Sequence, residues 1–226
     1  MEFEREILLI GDKINLLKDK SVLILGLGGV GGYTTEALAR AGIGHLILVD
    51  YDIVDITNIN RQIIALHSNI GKKKTDCFKE RIKDINPNCY VDTLDIFYSD
   101  DNKDCIFNYN LDYIIDCCDS LNSKKILIEE AYRRKIPIIS CMGTGNKLQL
   151  DFSITELKKT EYDPLARKLR MMLEDKKELL NTKVLYSKVK PLPFKGKIGS
   201  ISYVPSVAGL MLAGYVINDF LGGIDD

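Results

Sequence analysis

Residues 21–61 read SVLILGLGGVGGYTTEALARAGIGHLILVDYDIVDITNINR, and the order of residue types in this stretch decides the fold. It opens on a fully apolar run, 22–25, which suits a strand buried on both faces of a parallel sheet. Gly26, Gly28 and Gly31 follow as G-x-G-x-x-G and open a helix predicted over 29–41, with Gly29 and Val30 in its first turn. The three glycines serve a tight turn, a close approach of backbone to phosphate, and close packing of helix on strand. The N-terminus of such a helix aims unpaired N–H groups at an anion. A second apolar run, 45–49, delivers Asp50 where a carboxylate meets a ribose hydroxyl. A lone glycine pattern says little; strand, turn, helix, strand and acid in order specify a nucleotide site.

The pattern continues outward. A short helix is predicted over 60–65, a helix over 73–85 that stops before Asn86-Pro87, and a strand over 90–94. A buried strand over 112–116 places Asp119 just past its end; a helix over 122–135 and a strand over 136–140 follow. The alternation predicts an α/β fold, Rossmann-like, with a doubly wound, mostly parallel sheet. Ligands of such sheets sit outside the carboxyl ends of the strands, where the glycine turn, Asp50, Asp52 and Asp119 all fall. Before this core, residues 1–20 read as an amphipathic lead-in, with Ile7, Leu8, Ile14 and Leu17 able to share a helical face interrupted at Gly11. After Gly145 the pattern changes to a strand over 147–154, a charged helix over 163–175 with Pro164 at its first position, a strand over 184–187, a Lys/Pro/Gly-rich loop over 188–202 and a small-residue helix over 204–221. The expected organisation is a nucleotide-binding part, 1–145, and a C-terminal strand and helix extension of the same domain, 146–226.

The composition narrows the class. The 226 residues are 46% hydrophobic with a net charge of −1, enough for one large core. The longest apolar stretch, 204–221, is broken by Pro205, Asn218 and Asp219 and reads as a buried helix, not a membrane span. No segment reads as a signal peptide, so a cytoplasmic, reduced chain is expected. The 6 cysteines form no C-x-x-C, so no zinc is expected. Cys117 and Cys118 are expected to be buried small hydrophobes, and Cys141 is the thiol to test. Charge is uneven: residues 158–197 carry +7, leaving −8 elsewhere. A basic half suits a phosphate backbone, while a solvated helix face is the plainer reading of a charge run.

The residues beyond Asp50 separate ATP from NAD. Asp52, Asn58, Asn60, Arg61, Gln62 and then Lys74 place two cations just past the ribose-binding acid. They can neutralise a triphosphate and the charge growing on a pyrophosphate leaving group. Asp119 can then hold magnesium, a hard cation that prefers oxygen ligands. The chain has no G-x-x-x-x-G-K-[ST], which favours attack at the α-phosphate and an acyl-adenylate over γ-phosphoryl transfer.

The set GLGGVGG, DYD, NINRQ, Lys74 and CCDS resembles the ubiquitin-activating superfamily in its bacterial form, including the enzymes that adenylate small sulfur-carrier proteins. The resemblance implies that backbone around Gly28 (Gly26, Gly29, Val30, Gly31) meets the phosphates and that Asp50 binds ribose, with Asp52 beside it. It implies that Arg61 and Lys74 hold the triphosphate with Asn58 and Gln62 nearby, and that Asp119 binds magnesium and is tied to catalysis. Arg5, in FEREILLIG, matches an arginine that homodimers of the family donate across the interface. INP at 85–87, ISCMGTGNK within 138–147, KTEYDPLARKLR at 159–170, YSKVKP at 186–191 and GSISYVPSVAGL at 199–210 are similar to the branch of tRNA threonylcarbamoyladenosine dehydratases. That branch activates a threonyl carboxylate beside the tRNA anticodon with ATP, and a ring then closes with net loss of water. Gln149-Leu150 stands where relatives usually read Asp-Pro.

The expected partners are tRNA bearing threonylcarbamoyladenosine and a second copy of the chain. A monovalent ion near 143–146 and a sulfur-transfer partner of the cysteine desulfurase type stay open. The alternative is an adenylyltransferase for the C-terminal Gly-Gly of a ubiquitin-like sulfur carrier, which predicts zinc ligands. A nucleotide-binding module without chemistry predicts loss of Arg61, Lys74 or Asp119, and an NAD oxidoreductase leaves the basic tail without purpose.

Overall fold

The apolar run of the opening stretch forms strand β1, Ser21–Leu25, buried at every position. In the computed structural model, which describes residues 2–193 and 195–223, β1 belongs to a seven-stranded sheet. On one side lie β2 (His45–Val49) and then β3 (Tyr90–Leu94). On the other lie β4 (Tyr113–Asp116), β5 (Ile138–Cys141), β7 (Lys183–Ser187) and, at the edge, β6 (Phe152–Glu156). All neighbours pair in parallel except β6, which runs antiparallel to β7. The chain leaves β1 toward β2 and later crosses back to β4, so the order switches between β1 and β4. At such a switch the connections after the two strands diverge and leave a crevice at their carboxyl ends.

Alternate strand residues enter opposite layers. Val22 and Ile24 pack with α3 (Gly31–Arg40), α4 (Lys74–Ile85) and α7 (Tyr203–Phe220), whereas Leu23 and Leu25 pack with α5 (Leu121–Arg134). The helix α6 (Pro164–Met172) adds Ala166 and Leu169 to a third cluster against α5 and β7. The small residues of α7 have a specific use. A Cβ at Gly209 would lie 2.3 Å from the Val30 carbonyl, and Thr34 Oγ1 donates to the Gly209 carbonyl at 3.0 Å. The backbone of α7 therefore seats directly on the first turn of α3. Among the described residues no helix is long and apolar enough to cross a membrane.

Three expectations need correction. Residues 60–65 run in turns, not in a helix: Asp55 and Asn58 close a capping box on a single 3-10 turn, Ile56–Asn58, and the bonds beyond it do not propagate. The strand expected from 147 begins only at Phe152, where pairing to Ser187 starts; Lys147 is instead drawn into a buried ion pair with Asp163. In the lead-in, α1 (Glu4–Ile10) and α2 (Ile14–Lys18) do not share one apolar face. Gly11, at φ +60, breaks the helix, so Ile14 and Leu17 are buried while Leu8 is 77% exposed.

Candidate nucleotide-binding site

Three strand exits form the site. After β1, Gly26 adopts φ +90, and a Cβ there would lie 2.9 Å from the Cys118 amide nitrogen. A Cβ on Gly31 would lie 1.8 Å from the Gly26 carbonyl oxygen, so this glycine closes the turn on itself. Gly28 differs: the nearest atom to a Cβ there is Gln62 Nε2 at 3.8 Å. The space above Gly28 is therefore open to a ligand, and Gly31 lies behind the turn.

After β2, Asp50 staples two exits together. Its Oδ2 accepts the Leu27 N–H at 2.6 Å, and its Oδ1 accepts the Asp52 N–H at 2.8 Å. Each carboxylate oxygen keeps a lone pair for a hydroxyl. Burial pushes the Asp50 carboxyl above its ordinary value of 3.8, while the Lys74 charge and the two backbone bonds pull the other way. Lys74 opens α4 with its side chain only 4% exposed, 2.8 Å from Asp52 Oδ2 and 3.9 Å from Asp50 Oδ2. Arg61 Nη1 donates to the Thr57 carbonyl and to Asn60 Oδ1, both at 2.9 Å. Gln62 is buried, and its Oε1 has no hydrogen-bond partner among the described residues. After β4, the third exit presents Asp119, which is exposed; among the described residues its carboxylate has no hydrogen-bond or ion-pair partner.

These groups line one cleft of about 310 Å³. It gathers Gly26, Gly28, Gly29, Val30, Asp50, Asp52, Asn58, Arg61, Gln62, Lys74 and Asp119. Arg5 is exposed on α1 and does not line it. The cleft also holds residues to which the sequence motifs gave no role. Tyr51 and Phe97 form an edge-to-face pair with ring centroids 5.0 Å apart, an apolar wall suited to a flat base. Ser120, Ser123, Thr144 and Pro205 also line the cleft, with the ends of β1 and β2 and the segments that follow β3 and β4. Phe97 follows β3 and Thr144 follows β5, so the rule that ligands sit at carboxyl ends would have found both.

The arrangement is cationic and rich in N–H donors at one end and acidic at another, which suits a polyanion bridged to a carboxylate by a hard cation. It offers no activated thiol. Burial pushes the Cys117 and Cys118 thiols well above their ordinary range and Cys141 up to about 12.

Known proteins resemble this chain in sequence and in fold. The model of the ThiF family matches residues 3–223. The tRNA threonylcarbamoyladenosine dehydratase of Bacillus subtilis is 39% identical over 244 aligned positions, covering 99% of this chain and 96% of the relative. The enzyme of the same name from Escherichia coli is 42% identical over 168 positions, 74% of this chain and 63% of the relative. The crystal structure of Escherichia coli tRNA N6-threonylcarbamoyladenosine dehydratase in complex with ATP superposes with a TM-score of 0.93 at 33% identity, covering 98% of this chain and 94% of that one.

Proposed function

The chain belongs to the ThiF family, and from that premise we propose that it is an ATP-dependent tRNA threonylcarbamoyladenosine dehydratase. The observation that carries the reading is the convergence of Arg61, Lys74 and Asp119 around an open glycine turn. ATP fits this cleft: the open face of Gly28 admits phosphate, and Gln62 Oε1 offers a buried acceptor that lacks a partner among the described residues.

Each residue then has a role. Backbone N–H groups at the start of α3 bind phosphate oxygens, Asp50 holds the ribose, and Tyr51 with Phe97 flanks the base. Arg61 and Lys74 offset the charge that grows on the pyrophosphate as the threonyl carboxylate attacks the α-phosphate. Magnesium, when bound, supplies Lewis-acid polarisation of the phosphates. Asp119 would hold it, since one carboxylate with phosphate oxygens and water suffices for this ion. The activated carbonyl and the group that closes on it belong to one nucleoside. Proximity supplies the second step, and no protein nucleophile is required.

The residues outside the cleft fit an assembly. Arg5 can serve a site only in a second copy of the chain, which a homodimer would supply. The basic stretch 158–197 faces the RNA in this reading, in the cytoplasm, and its contribution to affinity should fall steeply with salt. The test is AMP release from ATP in the presence of tRNA carrying the threonylcarbamoyl group. In Asp119→Ala the rate should fall at least about 100-fold, with the melting temperature nearly unchanged, because this carboxylate supports no other side chain among the described residues. A near-normal rate in that variant removes Asp119 from the mechanism.

A further inference from the structure

Beneath the floor of the cleft lies a buried ionic network that the reaction as described does not use. Lys124, in the first turns of α5, and Asp116, the last residue of β4, are both 0% exposed and pair at 2.9 Å. Lys124 Nζ also donates to the Cys141 carbonyl at 2.8 Å and to Ser140 Oγ at 3.3 Å, so all three ammonium donors are engaged. Ser140 Oγ donates to Asp116 Oδ2 at 2.5 Å, and Asp116 Oδ1 accepts the Cys118 N–H at 3.1 Å. Burial works against the Lys124 charge, but Asp116 overcomes it and holds the ammonium above its ordinary range.

The positions of these contacts matter more than their number. Asp116 ends β4, and Asp119 lies three residues on. Cys141 ends β5, and Thr144 lies three residues on. Both Asp119 and Thr144 line the cleft. One ammonium therefore grips the exits of two adjacent strands, at the same distance behind two cleft residues. The β4–β5 register pairs Ile114 with Ile138, Ile115 with Ile139 and, as its last rung, Asp116 with Ser140, so the network sits where the two strands part. A buried ion pair is often no more stabilising than apolar residues of the same volume. What apolar residues cannot supply is direction for the Cys118 N–H, just past the end of β4, and for the Cys141 carbonyl at the end of β5.

We propose that Lys124, acting with Asp116 and Ser140, is a positioning residue that sets the 117–119 turn and the 142–144 loop, so that Asp119 and Thr144 face the bound nucleotide. This rests on the reading of the cleft as an ATP site.

The experiment uses the full chain and two variants, Asp116→Leu/Lys124→Met, which removes both charges together, and Ser140→Ala, which leaves the pair intact. Hydrogen exchange of the Cys118 amide should accelerate at least about 10-fold in the double variant while the Ile115 amide stays protected. With ATP and tRNA, kcat should fall at least about 10-fold, as a misplaced group dictates, with KM for ATP within about threefold. In Ser140→Ala, which orphans one buried ammonium donor, kcat should fall about threefold with a melting temperature lower by no more than about 12 °C. Unchanged exchange at Cys118 in a folded double variant overturns the proposal, as does a kcat within twofold of wild type. If the double variant does not fold, Ser140→Ala decides, and an unaltered kcat there overturns it. The exchange measurement needs no RNA, so it still tests the network if the substrate assignment fails. Loss of ATP binding by the wild-type chain would refute the nucleotide reading instead.

Discussion

Replacing Lys74 with Met keeps the volume of a buried side chain and removes its charge. Asp50, itself 7% exposed at the side chain, then loses a cation 3.9 Å away. At an effective dielectric constant of about 20 that attraction is about 4 kcal/mol, in line with the cost of breaking one side of a buried pair. Asp52, 2.8 Å from the same ammonium but 46% exposed, adds little because water screens it. For a chain of this size, about 4 kcal/mol corresponds to a fall in Tm of about 8–16 °C at pH 7.5. The pH dependence is the sharper part. Asp50 already sits above its ordinary 3.8 because burial outweighs Lys74, and losing Lys74 raises it further. A carboxyl whose pKa is higher folded than unfolded takes up a proton on folding. Its penalty is absent at low pH and grows as pH rises through the folded value. Asp50 escapes the unpaired charge by binding a proton, at about 1.4 kcal/mol for each pH unit above its ordinary value of 3.8. The deficit between variant and wild type should therefore shrink steadily from pH 7.5 to pH 5. Thermal denaturation of both proteins across that range is the assay. A deficit that does not change with pH, or one below about 2 °C at pH 7.5, would show that Lys74 does not sustain the Asp50 charge.

The glycine turn and the thiols give further expectations. Gly31→Ala should destabilise the fold by more than about 4 kcal/mol, because its Cβ meets the Gly26 carbonyl at 1.8 Å. Gly28→Ala should fold normally and lose at least about 10-fold in ATP affinity, since its methyl projects only into ligand space; chemical denaturation and calorimetric titration separate the two. Cys141→Ala should keep ATP-dependent turnover within a few-fold, because the buried thiol, raised to about 12, is no nucleophile at neutral pH. A loss of two orders of magnitude in that variant would return Cys141 to the mechanism.

Much of the site was legible in the sequence because its residues sit at strand ends. Gly26, Asp50 and Asp119 each follow an apolar run, and parallel sheets gather such positions at one edge. Strand β2 matched its apolar run residue for residue, since a strand buried on both faces leaves no ambiguity of register. The failures have physical causes. Residues 60–65 carry a helix-like composition, but Arg61 and Gln62 must turn toward the cleft, and a capped single turn at Asp55 ends the helix before it starts. Lys147 reads as part of a strand, yet its ammonium is committed to the Gly143 carbonyl at 2.8 Å and to Asp163. Local pattern cannot see a partner sixteen residues away. Phe97 belongs to no motif, and Thr144 and Pro205 lie in motifs that gave them no role; all three enter the cleft through topology. The Asp116–Lys124 pair was hidden for the same reason, since Lys124 reads as a surface helix residue until β5 is laid beside β4.

Mass spectrometry of nucleosides from tRNA decides whether this cleft dehydrates threonylcarbamoyladenosine. The purified chain is incubated with ATP, magnesium and tRNA that carries threonylcarbamoyladenosine, and the tRNA is then digested. A nucleoside lighter than the starting one by one water should form, and only when ATP is present. An unchanged nucleoside, together with an adenylate formed on the C-terminal Gly-Gly of a sulfur-carrier protein, would overturn the dehydratase assignment.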